Sequence, residues 1–167
     1  MPLVITRDSS SADRESAELL AFICFYLENI KAPGSGDSAT FLKAFDEISE
    51  AHGKGGALKG LRQAANDVLQ DLSDMKPELL STIDLAARSA GVVTLSELRR
   101  RYSRKYKSIL RRGSLRSETE YYLVKGVVDD SLHGGGEAEI DRLQSMLSAF
   151  ESAPNSSLKR TNQSLRD

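Results

Sequence analysis

Few side chains in this 167-residue chain have the types and spacing that catalysis or metal binding requires. Cys24, His52 and His133 are its softer ligands, and no zinc-binding pattern can be written from them. Cys24 lies in the apolar run Ala-Phe-Ile-Cys-Phe-Tyr, which is typical of a buried thiol that packs as a small hydrophobe. Both histidines precede glycine at predicted helix ends, where the helix dipole favours an imidazolium. We therefore expect structural roles for all three.

A glycine-rich segment and an acidic edge are the other candidates for chemistry. Gly53-Lys54-Gly55-Gly56 lacks the spacing of a Walker loop, a Ser or Thr after the lysine, and a preceding apolar strand, so a helix connection is the better interpretation. Asp67, Asp71 and Asp74 could share a cation, although a solvated helix edge is the commoner explanation. The sequence predicts that the chain is not an enzyme and has no cofactor, metal site or small-molecule substrate.

The strongest helix signals lie in residues 94–112. Thr94-Leu95-Ser96-Glu97 has the form of a capping box, which predicts one helix from there to about Arg112. At about 100° per residue, one arc of this helix is apolar and faces inward. That arc holds Leu95, Leu98, Tyr102, Tyr106 and Ile109, with Leu110 at its margin. The opposite arc holds Arg100, Arg101, Arg104, Lys107, Arg111 and Arg112.

A second capping box follows at Ser117-Glu118-Thr119-Glu120, after Gly113 ends the basic helix. It predicts a helix of about 15 residues whose apolar side chains cover half of its circumference, as in a core element. These side chains are Tyr121, Leu123, Val124, Val127, Val128 and Leu132. Glu118 and Glu120 could be paired carboxylates, but the capping box already gives one of them a structural task.

The remaining chain also has helical periodicity and no strand pattern. We predict further helices at about residues 11–31, 38–52, 57–73, 77–90 and 137–151. The helix at 38–52 is expected to bury Phe41, Leu42, Phe45 and Ile48. The predicted fold is all-α: a single compact bundle of about six or seven helices over residues 1–152, followed by a disordered polar tail at 153–167.

Charge is distributed unevenly along a chain whose net charge is −1. Residues 99–116 contain nine basic and no acidic side chains, whereas residues 1–98 and 117–151 each carry a net charge of −6. Such a local field can steer a charged partner. No apolar run approaches the roughly 20 residues that span a bilayer, and no secretory signal is evident. With a single cysteine as well, we expect a cytoplasmic protein without membrane contact.

Two kinds of partner are consistent with the basic helix. Nucleic-acid binding would use its arginines and lysines to neutralise phosphates, but the spacing of Tyr102 and Tyr106 puts these rings on the core side. The helix after it is acidic and too apolar to act as a recognition helix. Protein binding fits better, because oppositely charged surfaces accelerate encounter and reject wrong partners. A solvated face with no partner is the third interpretation.

A family resemblance supports protein binding. The C-terminal region of small helical immunity proteins resembles this chain at Leu98-Arg99-Arg100-Arg101-Tyr102, Tyr106, Ile109-Leu110-Arg111-Arg112-Gly113, Ser117-Glu118, Glu120-Tyr121-Tyr122-Leu123 and Asp129-Asp130. Those proteins belong to bacterial contact-dependent growth inhibition and related polymorphic toxin systems. The resemblance covers roughly residues 95–150.

The resemblance implies a stoichiometric inhibitor that binds the toxic domain of a cognate effector and blocks its active site or substrate path. A nuclease toxin would present a cationic cleft to acidic segments of this chain. The acidic candidates are Glu118, Glu120, Asp129 and Asp130, or the edge formed by Asp67, Asp71 and Asp74. The basic candidates Arg100, Arg101, Arg104, Lys107, Arg111 and Arg112 would contact an acidic part of the toxin or remain solvated.

Overall fold

The computed structural model of the protein describes residues 10–131 and 137–154, and within these ranges it contains seven α-helices and no strand. The helices are α1 Ser11–Tyr26, α2 Asp37–Asp71, α3 Pro77–Ser89, α4 Leu95–Tyr102, α5 Arg104–Arg112, α6 Glu118–Ser131 and α7 Glu137–Ser152. A π-helical turn, Leu27–Lys31, continues α1. The predicted all-α fold is confirmed. Leu132, His133 and the predicted disorder of residues 155–167 lie outside the described residues.

The chain forms two compact units, of which the first contains α1, α2 and Leu85–Thr94. In this unit α1 packs along α2. Leu19, Phe22 and Ile23 of α1 are buried, as are Leu61 and Ala65 in the second half of α2. Ser10 caps α1 by accepting a hydrogen bond from the Asp13 backbone N–H at 3.2 Å, one residue before the predicted start.

Helix α2 changes direction at Gly53, which has φ 68° and ψ 178°. The prediction of a connection over residues 53–56 was wrong in its extent, because helical geometry resumes directly after this one glycine. The next turn is crowded: a Cβ added to Gly56 would lie 2.6 Å from the Cβ of His52. Gly53 therefore supplies a left-handed conformation, and Gly56 supplies the space that the kink needs.

The helix at residues 37–52 does not bury its predicted apolar stripe. Leu42 and Ile48 are 40% and 41% exposed, and Phe41 and Phe45 are only half-buried. The prediction was wrong because periodicity identifies which face of a helix is apolar, but the packing of other elements decides whether that face is covered.

The second unit contains Pro77–Asp84 and the chain from Leu95 onward. Its helix α6 is central, with contacts to α4, α5 and α7, as its wide apolar surface predicted. The core of α5, α6 and α7 consists of Tyr106, Ile109, Val124, Val127, Val128, Leu143 and Met146. Ser117 begins α6 as predicted, since its hydroxyl accepts a hydrogen bond from the Glu120 backbone N–H at 3.3 Å.

Residues 95–112 form two helices, so the prediction of one continuous helix was wrong. Ser103 has φ −67° and ψ 118°, and its hydroxyl accepts a hydrogen bond from the Tyr106 N–H at 3.2 Å. A serine that caps a new helix competes with continuation of the old one, and apolar periodicity does not report this. The inward face nevertheless has the expected members: Leu98, Tyr106 and Ile109 are fully buried, and Tyr102 is half-buried.

Candidate functional site

The basic residues of α4 are largely engaged by carboxylates of the same unit. The Glu97 carboxylate accepts hydrogen bonds from the Arg100 Nε and the Arg101 Nε, both at 2.7 Å. Burial raises the pKa of Glu97, but these hydrogen bonds outweigh it and the net effect is a lowered pKa. Arg100 also lies 3.5 Å from Glu139. The predicted surface at Arg100 and Arg101 is therefore substantially neutralised within the fold.

The basic residues of α5 present a different arrangement. Arg104, Lys107 and Arg111 are exposed, and they follow one another at spacings of three and four residues, which puts them on one side of the helix. None of these three forms a salt bridge with another residue in the described ranges. We call this set the α5 cationic stripe. It is the part of the predicted basic surface that remains open to a partner.

The inward side of α5 holds the cationic stripe in place. Tyr106 is 1% exposed, and its hydroxyl donates a hydrogen bond to the Glu139 carboxylate at 2.7 Å. Burial, the hydrogen bond to Glu139 and the charge of Glu139 raise the pKa of Tyr106 well above its usual value. Ile109 is fully buried, and Gly113 ends the helix with φ 74°. The tyrosine ring is therefore part of the core and is not presented for stacking on a base.

Arg112 belongs to the basic candidates but faces the start of α6. It forms a salt bridge with Glu120, and its Nε donates to the Ser114 carbonyl at 3.0 Å. Glu120 also accepts a hydrogen bond from the Arg116 backbone N–H at 2.8 Å. These two candidates therefore connect α5 to α6, and we assign them a structural role.

The acidic candidates on α6 do not form one cluster. Glu118 is half-buried at the start of the helix, while Asp129 and Asp130 lie at its end. At 1.5 Å per residue, about 18 Å separates the two ends. Asp129 lies 3.3 Å from Lys125 in a salt bridge on the same helix, and Asp130 is half-buried.

The predicted acidic edge of Asp67, Asp71 and Asp74 lies in the first unit, and each of its three carboxylates has a different environment. Asp71 accepts hydrogen bonds from Lys31 and from the Tyr26 hydroxyl, both at 3.2 Å, and these bonds lower its pKa. Asp67 accepts a hydrogen bond from Gln63 at 2.9 Å. Asp74 is exposed beyond the end of α2.

A pocket of about 180 Å³ lies in the second unit and was not found from the sequence. It is lined by Pro77, Glu78, Leu80, Ser81, Asp84, Ser96, Arg99, Tyr122, Lys125, Gly126 and Asp129. The Asp84 carboxylate accepts hydrogen bonds from the backbone N–H and the hydroxyl of Ser96, at 3.2 Å and 2.5 Å. Asp84 is 9% exposed, and burial raises its pKa in opposition to those hydrogen bonds.

Arg99 completes the buried polar group beside Asp84. It is 8% exposed, so burial lowers its pKa, while the negative charge of Asp84 acts in the opposite direction. A Cβ added to Gly126 would lie 3.0 Å from the Ser96 hydroxyl, which shows how closely α6 approaches α4 here. The signal in the sequence was an aspartate next to Ile83 on the apolar face of α3. The arrangement caps the start of α4, because Asp84 accepts the Ser96 backbone N–H.

Within residues 10–131 and 137–154, no group of three or more His, Cys, Asp or Glu side chains is placed to hold a metal ion. No helix in the same ranges is long and apolar enough to cross a membrane. Cys24 is half-buried, and burial together with the nearby Glu28 raises its pKa, which reduces thiolate reactivity.

Comparison with known proteins gives no relative for this chain: it matches no family model, and no curated protein or solved structure is detectably similar. The resemblance to immunity proteins over residues 95–150 therefore stays a prediction. The geometry of the charged surfaces is the basis on which a function is proposed.

Proposed function

We propose that this chain is a cytoplasmic immunity protein, which binds a cognate toxin domain stoichiometrically and blocks its active site or substrate path. It does so as a binding protein and performs no reaction. The observation that carries the proposal is the α5 cationic stripe, because its charges face solvent on a helix whose other side is anchored in the core.

A charged stripe on a rigid helix favours fast and selective association with a protein of opposite charge. Long-range attraction raises the encounter rate, and like-charged surfaces are rejected. Arg104, Lys107 and Arg111 are held in register by the fold, so little backbone ordering is needed when a partner binds. We therefore expect them to contact an acidic surface of the toxin domain.

Nucleic-acid binding is the second candidate, and the same stripe favours it because three adjacent cations can neutralise phosphates. Two observations make it the weaker candidate. The buried Tyr106 cannot stack on a base, and Arg100 and Arg101 are already engaged by Glu97.

We expect a large secreted effector to be encoded beside this gene, and the test is growth rescue and direct binding with the C-terminal domain of that effector. Coexpression of the wild-type chain should restore growth, and the purified proteins should form a complex of fixed stoichiometry. R104E/K107E should weaken the complex by about tenfold or more and reduce rescue, since it reverses two charges of the stripe. Absence of both rescue and complex formation with the wild-type chain would overturn the proposal.

K59E/K76E is the matched control, because both lysines are exposed and neither forms a salt bridge within the described residues. It makes the same change in net charge as R104E/K107E, so a general charge effect would weaken both variants equally. A gel-shift assay with RNA or DNA at physiological ionic strength distinguishes nucleic-acid binding from toxin binding. A shift that R104E/K107E abolishes, without any toxin complex, would favour nucleic-acid binding.

A further inference from the structure

The first half of α2, residues 37–52, has an apolar stripe that the described residues leave partly uncovered. Phe41, Phe45 and Ile48 repeat at spacings of four and three residues, and Leu42 lies at the edge of the same face. No residue from 37 to 52 is buried, and Leu42 and Ile48 are 40% and 41% exposed. By contrast, the second half of α2 buries Ala57, Leu58, Leu61, Ala65, Val68 and Leu69.

Exposed apolar side chains that form a continuous stripe are a mark of an interaction surface, whereas isolated ones are ordinary. The stripe extends over two helical turns from Phe41 to Ile48, a length of about 10 Å. This is the arrangement by which an amphipathic helix binds a complementary groove or helix.

The charges of residues 37–52 indicate the kind of partner. Asp37, Asp46, Glu47 and Glu50 are exposed and oppose the single basic residue Lys43, which gives residues 37–52 a net charge of −3. None of these four carboxylates forms a salt bridge within the described part of the chain. At about 100° per residue, Asp46 lies some 40° from Leu42 around the helix, so it borders the stripe directly.

From these observations we infer that residues 37–52 form a docking surface for a protein whose own surface combines apolar side chains with lysines and arginines. The inference rests on the proposed function in one respect: it takes that protein to be the toxin domain. A second copy of this chain is a poorer occupant, because two such helices would bring like charges together. An anionic lipid surface would repel the carboxylates in the same way.

The test measures binding of the toxin domain to the full-length chain by titration calorimetry. L42S/I48S removes two exposed apolar side chains from the stripe and should weaken the complex by about 30-fold, the size expected when two contact residues of an interface are truncated. L79S/L85S is the matched control, because Leu79 and Leu85 are 52% and 61% exposed on α3. Its affinity should stay within about twofold of the wild type, as for surface substitutions outside an interface.

A second pair of variants tests the charge of the partner. D46K/E47K should slow association by about tenfold, because it replaces acidic groups that attract a cationic surface. E28K/D141K makes the same change in net charge at exposed positions outside the proposed binding surfaces and should leave the association rate within about twofold of the wild type.

The outcomes separate this inference from the proposed function. If the wild-type chain binds the toxin domain and L42S/I48S binds it equally well, the docking surface is wrong and the proposed function stands. If the wild-type chain does not bind the toxin domain, the proposed function fails and this partner assignment fails with it. A wild-type dimer that L42S/I48S converts to a monomer, with toxin affinity unchanged, would overturn the inference in favour of self-association.

Discussion

The Asp84 carboxylate accepts hydrogen bonds from both the backbone N–H and the hydroxyl of Ser96, at 3.2 Å and 2.5 Å, and so connects α3 to the first turn of α4. The first amides of a helix have no partner within the helix, and a negative charge there is favoured by the helix dipole. Asp84 therefore provides a capping carboxylate from 12 residues earlier in the chain.

Replacement of Asp84 by alanine should destabilise the protein, because it leaves the buried Ser96 donors without this acceptor. The expected loss is about 2 kcal/mol in the free energy of unfolding. Urea denaturation followed by circular dichroism measures it. D74A is the control: Asp74 is exposed, and its variant should differ from the wild type by less than about 0.5 kcal/mol. Equal stability of D84A and D74A would contradict this role.

The raised pKa of Asp84 predicts a pH dependence with a definite sign. Burial raises the folded-state pKa of Asp84 above the ordinary value of 3.8. Between the unfolded and the folded pKa, Asp84 is therefore more often protonated in the folded state than in the unfolded state. The stability contributed by Asp84 is then fully present below the unfolded pKa and falls as the pH rises from there through the folded pKa. The stability of wild type relative to D84N should decrease over that interval, as measured by urea denaturation at a series of pH values.

A comparison with D84N is needed because other carboxylates titrate in the opposite sense. Hydrogen bonds from Lys31 and Tyr26 lower the pKa of Asp71, so its contribution is lost as the pH falls through its folded pKa. Subtraction of the D84N curve removes such contributions, since both proteins contain them. A difference that does not change with pH would show that Asp84 has an ordinary pKa.

Removal of the Ser103 hydroxyl should weaken the start of α5. S103A loses the hydrogen bond from the Tyr106 N–H and should cost about 1 kcal/mol in the free energy of unfolding. S108A is the control, because Ser108 is exposed inside the same helix and alanine has the higher helix propensity there. Thermal denaturation should give a lower midpoint for S103A and an unchanged or higher one for S108A.

Two glycine-to-alanine substitutions should have opposite effects. G113A places a side chain at φ 74° at the end of α5 and should cost about 1 kcal/mol. G60A lies inside α2, where no other group is within 4 Å of an added Cβ, and should stabilise by up to about 1 kcal/mol. Urea midpoints for the two variants measure the difference, and a shift in the same direction for both would contradict the assigned backbone roles.

Local signals in the sequence predicted most of the helices. Ser117 caps α6 and Gly113 ends α5, because caps and terminators depend on a few adjacent residues. The start of the basic segment near Thr94 was also predicted, and Leu98 and Ile109 are buried as their spacing indicated.

Other features were missed for two reasons. The Ser103 cap and the Glu97 pairs act over three or four residues but leave the apolar periodicity unchanged, whereas the role of Asp84 and the exposure of Leu42 and Ile48 depend on distant residues. The Ser103 break lies inside an uninterrupted apolar period, and Asp84 acquires its role from Ser96 across a turn. The pairing of Arg100 and Arg101 with Glu97 reduced the predicted cationic surface to the stripe on α5. The exposure of Leu42 and Ile48 required the positions of all neighbouring elements.

The conformation of Gly53, with φ 68° and ψ 178°, is one that residues with a side chain essentially never adopt. The backbone of Gly53 alone therefore sets the direction of the helix over residues 37–52 relative to the second half of α2. The side chains on that helix are determined separately, by residues 37–52 themselves. A substitution of Gly53 would change the direction of residues 37–52 without altering any of their side chains. The direction of the helix over residues 37–52 is thus set at Gly53, whereas its surface chemistry is set by its own side chains. Mutation can therefore change either property without the other.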